Sequence, residues 1–340
     1  MSGEMKKIGT HDGNFHCDEA LACFLLKNHV EEYKDAEIIR TRKDEILDKC
    51  DIVVDVGGVF DPAKKRYDHH QKSFQESLSS LRPEFGSKYK IRLSSAGLIY
   101  VFYGEEILRD LLKKNGHVLK PDSLKMIYKM VYEKFIEEID AIDNGWPMFP
   151  GESQYTINTH LSSRVGNFNQ NWKPKKDENY NSFNSFCKAM ELVGAEFTDK
   201  VLYYFESWLP ARTIVEAALE DRFNVHPSGS IIILGQFCPW KQHLSLLEVE
   251  QGIEGSIKFV VSTDKEDDHR CMAVPVNPES FICRKFLHKD WRGIRDSELA
   301  GISGIPEAKF VHQTGFIGGA ATQEAALQMA IQSLAGEYTD

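Results

Sequence analysis

Over its first 100 residues the chain alternates short β-rich runs with helical ones, and few folds accommodate that alternation. Met5 to Thr10 reads as a strand, and Asp18 to Lys27 (DEALACFLLK) as a helix whose apolar stripe includes Leu21, Phe24 and Leu25. Ala36 to Arg42 and Asp51 to Val56 (DIVVDV) read as further strands, the second halted by Gly57 and Gly58. Strands separated by helices imply βαβ crossovers, so the expected fold class is α/β with an N-terminal parallel sheet. Ser94 or Ser95 caps a helix from Ala96 to Lys114, which stops before Asn115 and Gly116. Ser123 to Ile142 follows as a long amphipathic helix, ended by Asp143-Asn144-Gly145.

Residues 165–182 are polar and aperiodic, an exposed loop by composition. Ser182 to Trp208 reads as a helix that Leu209-Pro210 breaks or kinks. Farther along, the strand-like runs Ser230 to Leu234, Ile257 to Thr263 and Arg270 to Val276 crowd together ahead of a final helix, Thr322 to Ala335. That change of pattern predicts a smaller C-terminal α+β domain. A metal-binding catalytic domain is expected over residues 1–210 and a substrate-binding one over 211–340.

Five of the twelve histidines lie in the first 70 residues, and four of them fall in loops that follow strands. His11, His16 and Asp18 share one loop (HDGNFHCDE), Asp55 ends a strand, and Asp68-His69-His70 ends the next (RYDHHQ). Ligands of open parallel sheets bind outside the carboxyl ends of the strands, so the three clusters should face one cleft. Any one of these histidines alone would read as an ordinary surface residue; their coincidence at three strand ends points to a metal centre. A set of imidazoles and carboxylates without thiolate suits Mn²⁺ first, then Mg²⁺, Fe²⁺ or Co²⁺, over a structural Zn²⁺. Asp140 and Asp143 stand three apart at a helix C-terminus, where acids oppose the macrodipole and a nearby cation would explain them.

The chain carries 41 Lys plus Arg against 51 Asp plus Glu, a net charge of −10, which argues against a protein that coats nucleic acid nonspecifically. An enzyme gripping a few phosphates in a cleft remains compatible. No apolar run approaches a membrane span, and Met1 to Lys7 has neither a signal-peptide core nor room for a transit peptide, so cytoplasm or nucleus is expected and mitochondria are not. Seven cysteines, an odd number without a CxxC pair, read as reduced thiols, and Cys17 and Cys23 as members of a core helix.

These segments together resemble the DHH phosphoesterase superfamily, which includes nucleases, oligoribonucleases and manganese-dependent pyrophosphatases. The resemblance is closer to one branch, the melanocyte-proliferating-gene exonuclease family. It runs through THDGNFHCDEALA (10–22), DIVVDVGG (51–58), RYDHHQ (66–71), LSSAGLIY (93–100), SWLPAR (207–212) and HQTGFIGG (312–319). The resemblance implies a two-metal hydrolase that degrades RNA from its 3′ end, with single-stranded DNA or short oligonucleotides as further substrates. It implies that His11, His16 and Asp55 hold one metal, that Asp18, Asp55, His69 and Asp143 hold the other, and that Asp55 bridges them. It also gives Asp68 an orienting role beside the catalytic Asp55 and has His70 reach the scissile phosphate. His16 departs from the superfamily, which has Asp at that place in a loop one residue shorter.

Substrate contacts are expected from Ser94 and Ser95, from Arg212, Arg292 and Arg295 as phosphate clamps, and from the Gly318-Gly319 backbone, where Ala320 replaces the superfamily's His. Trp208, Trp240 and Trp291 offer either base-stacking surfaces or interior packing. Two other readings stay open on the sequence: a hydrolase of a small phosphate compound such as pyrophosphate or a dinucleotide, and a noncatalytic scaffold stabilised by metal.

Overall fold

A computed structural model describes residues 5–173, 180–264 and 268–336. The chain divides into two compact units, Met1–Tyr204 and Phe205–Asp340. Each contains a five-stranded sheet, and the whole is mixed α/β. No described helix is long and apolar enough to cross a membrane.

In the first unit the strands are β1 (Lys7–Thr10), β2 (Glu37–Arg40), β3 (Ile52–Val54), β4 (Phe60–Asp61) and β5 (Arg66–Tyr67). Their order is β2-β1-β3-β5-β4. β1, β2, β3 and β5 run parallel, with Ile8 opposite both Ile38 and Ile52 and Val53 opposite Arg66, while β4 pairs antiparallel with β5. Ile8, Ile52, Val53 and Val54 are all buried, as continuous apolar strands in a covered parallel sheet must be. The residues after β1, β3 and β5 therefore emerge side by side on three adjacent strands.

The helix Cys17–His29 starts directly after the β1 loop. His16 is its N-cap, and the backbone N–H of His16 donates to both carboxylate oxygens of Glu19 at 2.9 Å, closing a capping box. Against it packs Ser182–Tyr203, at a point where a Cβ added to Gly194 would lie 2.1 Å from the Phe24 ring. The helix Ser95–Lys114 takes Ser94 as N-cap.

Between residues 121 and 143 the structure departs from the single expected helix Ser123–Ile142. It has Pro121–Val131, a π-turn at Tyr132–Ile136, and then Glu137–Asp143. Pro121 fits the first turn because its missing N–H is not needed there. The π-turn widens the helix by one residue and re-aims the Glu137–Asp143 segment. The first two residues of 165–182 end a short helix, Leu161–Gly166, and residues 174–179 lie outside the described residues.

The second unit contains β6 (Ile231–Ile233), β7 (Phe259–Thr263), β8 (His269–Ala273), β9 (Ala308–Val311) and β10 (Ile317–Ala320), in the order β6-β7-β8-β10-β9. Among the described strands of this unit, only β6 and β7 pair in parallel. Met329, Ala326 and Ala330 of the helix Gln323–Ala335 pack with Phe259, Val261 and Cys271, while Val215, Leu219 and Leu244 pack with Ile232 and Val260. Pro210 does not end a helix. It sits in the first turn of Leu209–Glu220, and the irregularity falls just before it, as a π-turn at Tyr204–Trp208.

Candidate metal centre

The sheet topology delivers three sets of side chains to one place. His11 follows β1, Asp55 follows β3, and Asp68, His69 and His70 follow β5. Asp143, the last residue of Glu137–Asp143, joins them, as does Asp18 in the first turn of Cys17–His29. Ligand atoms of His11, His16, Glu19 and Asp55 lie within 4.8 Å of one another, as do those of His16, Asp18 and Asp143, and those of Asp55, His69 and His70.

Asp55 is the hub. Its two oxygens divide between the imidazoles, with Oδ2 at 3.3 Å from His11 Nε2 and Oδ1 at 3.1 Å from His69 Nε2. His69 Nε2 also lies 3.2 Å from Asp143 and 3.9 Å from Asp18. The backbone of Asp55 is left-handed, with φ of 59°, and Gly57 and Gly58 follow with φ of 95° and 66°. A non-glycine residue in this region is uncommon, and Asp is among those that tolerate it best. The turn aims the carboxylate back across the strand ends.

Supporting hydrogen bonds lock the ligands. His11 Nδ1 lies 2.9 Å from the Asp12 carbonyl and donates to it, which leaves Nε2 facing the carboxylates of Glu19, at 2.9 Å, and Asp55. Ser95 Oγ donates to Asp18 at 2.6 Å. Asp68 Oδ1 accepts from the His69 and His70 N–H groups and lies 2.7 Å from His70 Nδ1, while Oδ2 accepts from Gly58 N at 2.6 Å. Asp68 thus ties the Asp-His-His turn to the Gly-Gly turn and belongs to none of the three ligand groups. Asn169 holds the β1 loop by accepting from Phe15 N and donating to Phe15 O.

Crowded carboxylates in a buried place cannot all stay charged. Burial pushes Asp55 up, but His11 and His69 outweigh it and hold Asp55 well below the usual carboxylate range. Burial and the neighbouring Asp55 push Asp18 up. Burial, opposed by the His11 hydrogen bond, takes Glu19 up to about 8, and burial together with Asp18 takes Asp143 up to about 9. Burial opposes charge on His11, yet Asp55 and Glu19 carry it up to about 10. Asp18 Oδ1 is a buried oxygen with no hydrogen-bond partner among the described residues. An all imidazole and carboxylate donor set with an unsatisfied buried oxygen fits divalent cations, which would take the place of the protons these acids otherwise retain.

Asp140 and Asp143 part company. Asp140 is fully buried and accepts from Ser94 N at 2.9 Å, Ser94 Oγ at 2.7 Å and Tyr132 Oη at 3.3 Å, so it anchors helices and leaves Asp143 at the centre. Burial pushes Asp140 up to about 7. A carboxyl with a folded pKa above its ordinary 3.8 contributes stability that is full below about pH 4 and lost as pH rises through the folded value. In chelator, Asp140→Asn should therefore lose less melting temperature than the parent between pH 5 and pH 8; parallel curves would contradict the assignment.

Burial or intramolecular partners surround several of the expected substrate contacts. Ser94 and Ser95 are fully buried and serve Asp140 and Asp18 as positioning groups. Trp208, Trp240 and Trp291 are interior, Trp208 against the His243 ring at 4.1 Å, and offer no stacking surface. Gly318 and Gly319 lie inside β10, where a Cβ would meet Met329 at 2.6 Å and Phe310 at 2.3 Å. Arg212 is engaged by Glu216 and by both oxygens of Glu250. Arg292 bonds the Leu287 carbonyl and lies over the Phe286 ring, and Arg295 lies over Phe310. Cys17 and Cys23 are buried, and burial raises both thiols.

The MYG1 exonuclease family, described as an uncharacterised protein family (UPF0160), matches residues 7–334. A bovine protein named MYG1 exonuclease is 49% identical over 332 residues, covering 97% of this chain and 84% of its own. The human protein of that name is 48% identical, with 97% and 86% covered, and a Dictyostelium discoideum MYG1 protein is 46% identical, with 96% of each chain covered. The chain belongs to the MYG1 exonuclease family. The match takes in every residue of the centre, from His11 to Asp143.

Three residues of this MYG1-family centre escape a reading by ligand type. Glu19 carries a sequence signal, an acid three residues after the N-cap, but that signal indicates a capping box and is silent about its bond to His11. Arg42 lies just past β2, the neighbour of β1, and its guanidinium sits 3.2 Å from His11 Nδ1. Asn169 has no local signal, because its partner Phe15 is 154 residues away.

Proposed function

We propose that this chain is a divalent-metal-dependent phosphodiesterase of the DHH type that removes nucleotides from the 3′ end of RNA. The observation that carries the reading is the shared carboxylate of Asp55, set between two histidines from different strands and flanked by further acids. The names of the bovine and human relatives support a nuclease. Two cations, Mn²⁺ ahead of Mg²⁺, fit the donors, with His11, His16 and Asp55, joined by Glu19, for one and Asp18, Asp55, His69 and Asp143 for the other. When bound, such ions acidify a water and neutralise charge on phosphoryl oxygens.

His70 supplies the remaining proton chemistry. The Asp68 hydrogen bond raises its pKa, which favours the protonated ring. With Nδ1 committed to Asp68 and the side chain 62% exposed, Nε2–H is available to a phosphoryl oxygen or a leaving oxygen. Asp68 acts through His70 and is a positioning residue.

The test is cleavage of 3′- and 5′-labelled RNA and single-stranded DNA with Mn²⁺ or Mg²⁺. Stepwise shortening of RNA from the 3′ end is expected, and His70→Ala should slow it by about 10²–10⁴-fold without lowering the melting temperature. Release of phosphate from pyrophosphate with RNA left intact would overturn the exonuclease reading in favour of a small-phosphate hydrolase.

A further inference from the structure

A cleft of about 960 Å³ opens beside the metal centre, with His16, Asp18, His70 and Asp143 among the residues that line it. A set of exposed carboxamides also walls it, Asn14, Asn167, Gln170 and Asn171, together with Lys173. All five are exposed. Among the described residues, Asn14, Asn167 and Gln170 make no side-chain hydrogen bond, although each carries two N–H donors and a carbonyl acceptor. Asn171 accepts only from the backbone N–H of Lys173, at 3.4 Å. The neighbouring Asn169 is different, since both ends of its amide are spent on Phe15. Trp172 lies between Asn171 and Lys173 and is 90% exposed.

A wall of this kind does not match a compact polyanion. Pyrophosphate calls for converging Arg and Lys, and Lys173 is the single Lys or Arg among the described lining residues. Nucleobase edges, in contrast, present donors and acceptors side by side, and Asn and Gln complement such edges in a bidentate way. Unpaired bases are read by hydrogen bonds on these edges and by stacking on exposed aromatic faces. The volume suits a ligand of nucleotide size, since small-molecule sites span roughly 300–1,000 Å³.

We infer that the carboxamide wall binds the terminal nucleobase of a single-stranded nucleic acid whose phosphate lies at the metal centre. The inference rests on the phosphodiesterase reading and adds the group that recognises the nucleoside. Because the wall is neutral apart from Lys173, it selects by hydrogen bonding and contributes little nonspecific attraction for phosphate.

The test is calorimetric titration of the full-length, Mn²⁺-supplemented protein with nucleoside 5′-monophosphates and with ribose 5-phosphate, which lacks only the base. The monophosphates should bind at least about tenfold more tightly, the worth of roughly one or two hydrogen bonds. Asn167→Ala/Gln170→Ala, at exposed positions whose side chains make no hydrogen bond among the described residues, should erase that difference and leave ribose 5-phosphate affinity unchanged. Equal affinity for the two ligands in the parent, or an equal loss for both in the double variant, would overturn the inference. Base-dependent binding in a protein that cleaves no labelled RNA would refute the catalytic reading and leave the base site standing.

Discussion

Asp55→Asn should remove phosphodiester cleavage while leaving the fold in place. Asparagine keeps the size of the side chain and tolerates the left-handed backbone at position 55, where φ is 59°. What it loses is the negative charge and one of the two acceptor oxygens that face His11 and His69. Metal ions contribute several kcal/mol of charge stabilisation to such reactions, and at 1.36 kcal/mol per factor of ten the expected fall in kcat is on the order of 10³-fold. Binding a cation only in the folded state raises stability by mass action, so titrating Mn²⁺ into the parent protein should raise its Tm. In Asp55→Asn that rise should vanish at the same Mn²⁺ concentrations. A variant retaining a tenth of parental activity, or an unchanged Mn²⁺-dependent Tm shift, would show that Asp55 is not the shared ligand.

Gly97→Ala is expected to give a large loss of stability from a single methyl group. A Cβ at this position would lie 2.3 Å from Asp140 Oδ1 and 2.5 Å from Oδ2, closer than any Cβ contact tolerates. Asp140 cannot retreat freely, because it is fully buried and held by Ser94 and Tyr132. Overpacking costs about 1–3 kcal/mol and leaving buried polar groups without their hydrogen bonds about 1–3, whereas alanine's better helix propensity returns only about 1. The net loss is roughly 3 kcal/mol, and for a unit of this size it lowers Tm by roughly 6–12 °C. Asp140→Ala should relieve the clash, so the double variant should be less destabilised than the sum of the two single ones. A Gly97→Ala protein that melts within 2 °C of the parent, or strict additivity in the cycle, would contradict the packing account. Because Ser94 and Ser95 are consecutive and Ser95 bonds Asp18, the same change should also weaken Mn²⁺ binding.

The α/β character and the parallel arrangement of β1, β2, β3 and β5 are readable from the chain because alternating apolar runs and helices admit few other layouts. So is the location of His11 and Asp55, since each follows an apolar run, whereas Asp68-His69-His70 follows only the two-residue strand Arg66–Tyr67. The helix interruptions at Tyr132–Ile136 and Tyr204–Trp208 are not readable, because a π-turn leaves the amphipathic pattern shifted by one residue and otherwise unmarked. Trp208, Trp240 and Trp291 show the limit from another side: an aromatic residue beside Arg or Lys suggests a stacking surface, but burial is a property of the packed unit.

The chain by itself determined which residue types can hold a metal and at which strand ends they stand, because side-chain chemistry and strand period are local. Only the tertiary structure decided that Asp140 turns to Ser94, that Ser94 and Ser95 are positioning groups, and that Glu19, Arg42 and Asn169 belong to the neighbourhood. These assignments depend on distances between residues far apart in the chain. Such distances are set by which helix packs on which strand end, and no local pattern encodes them.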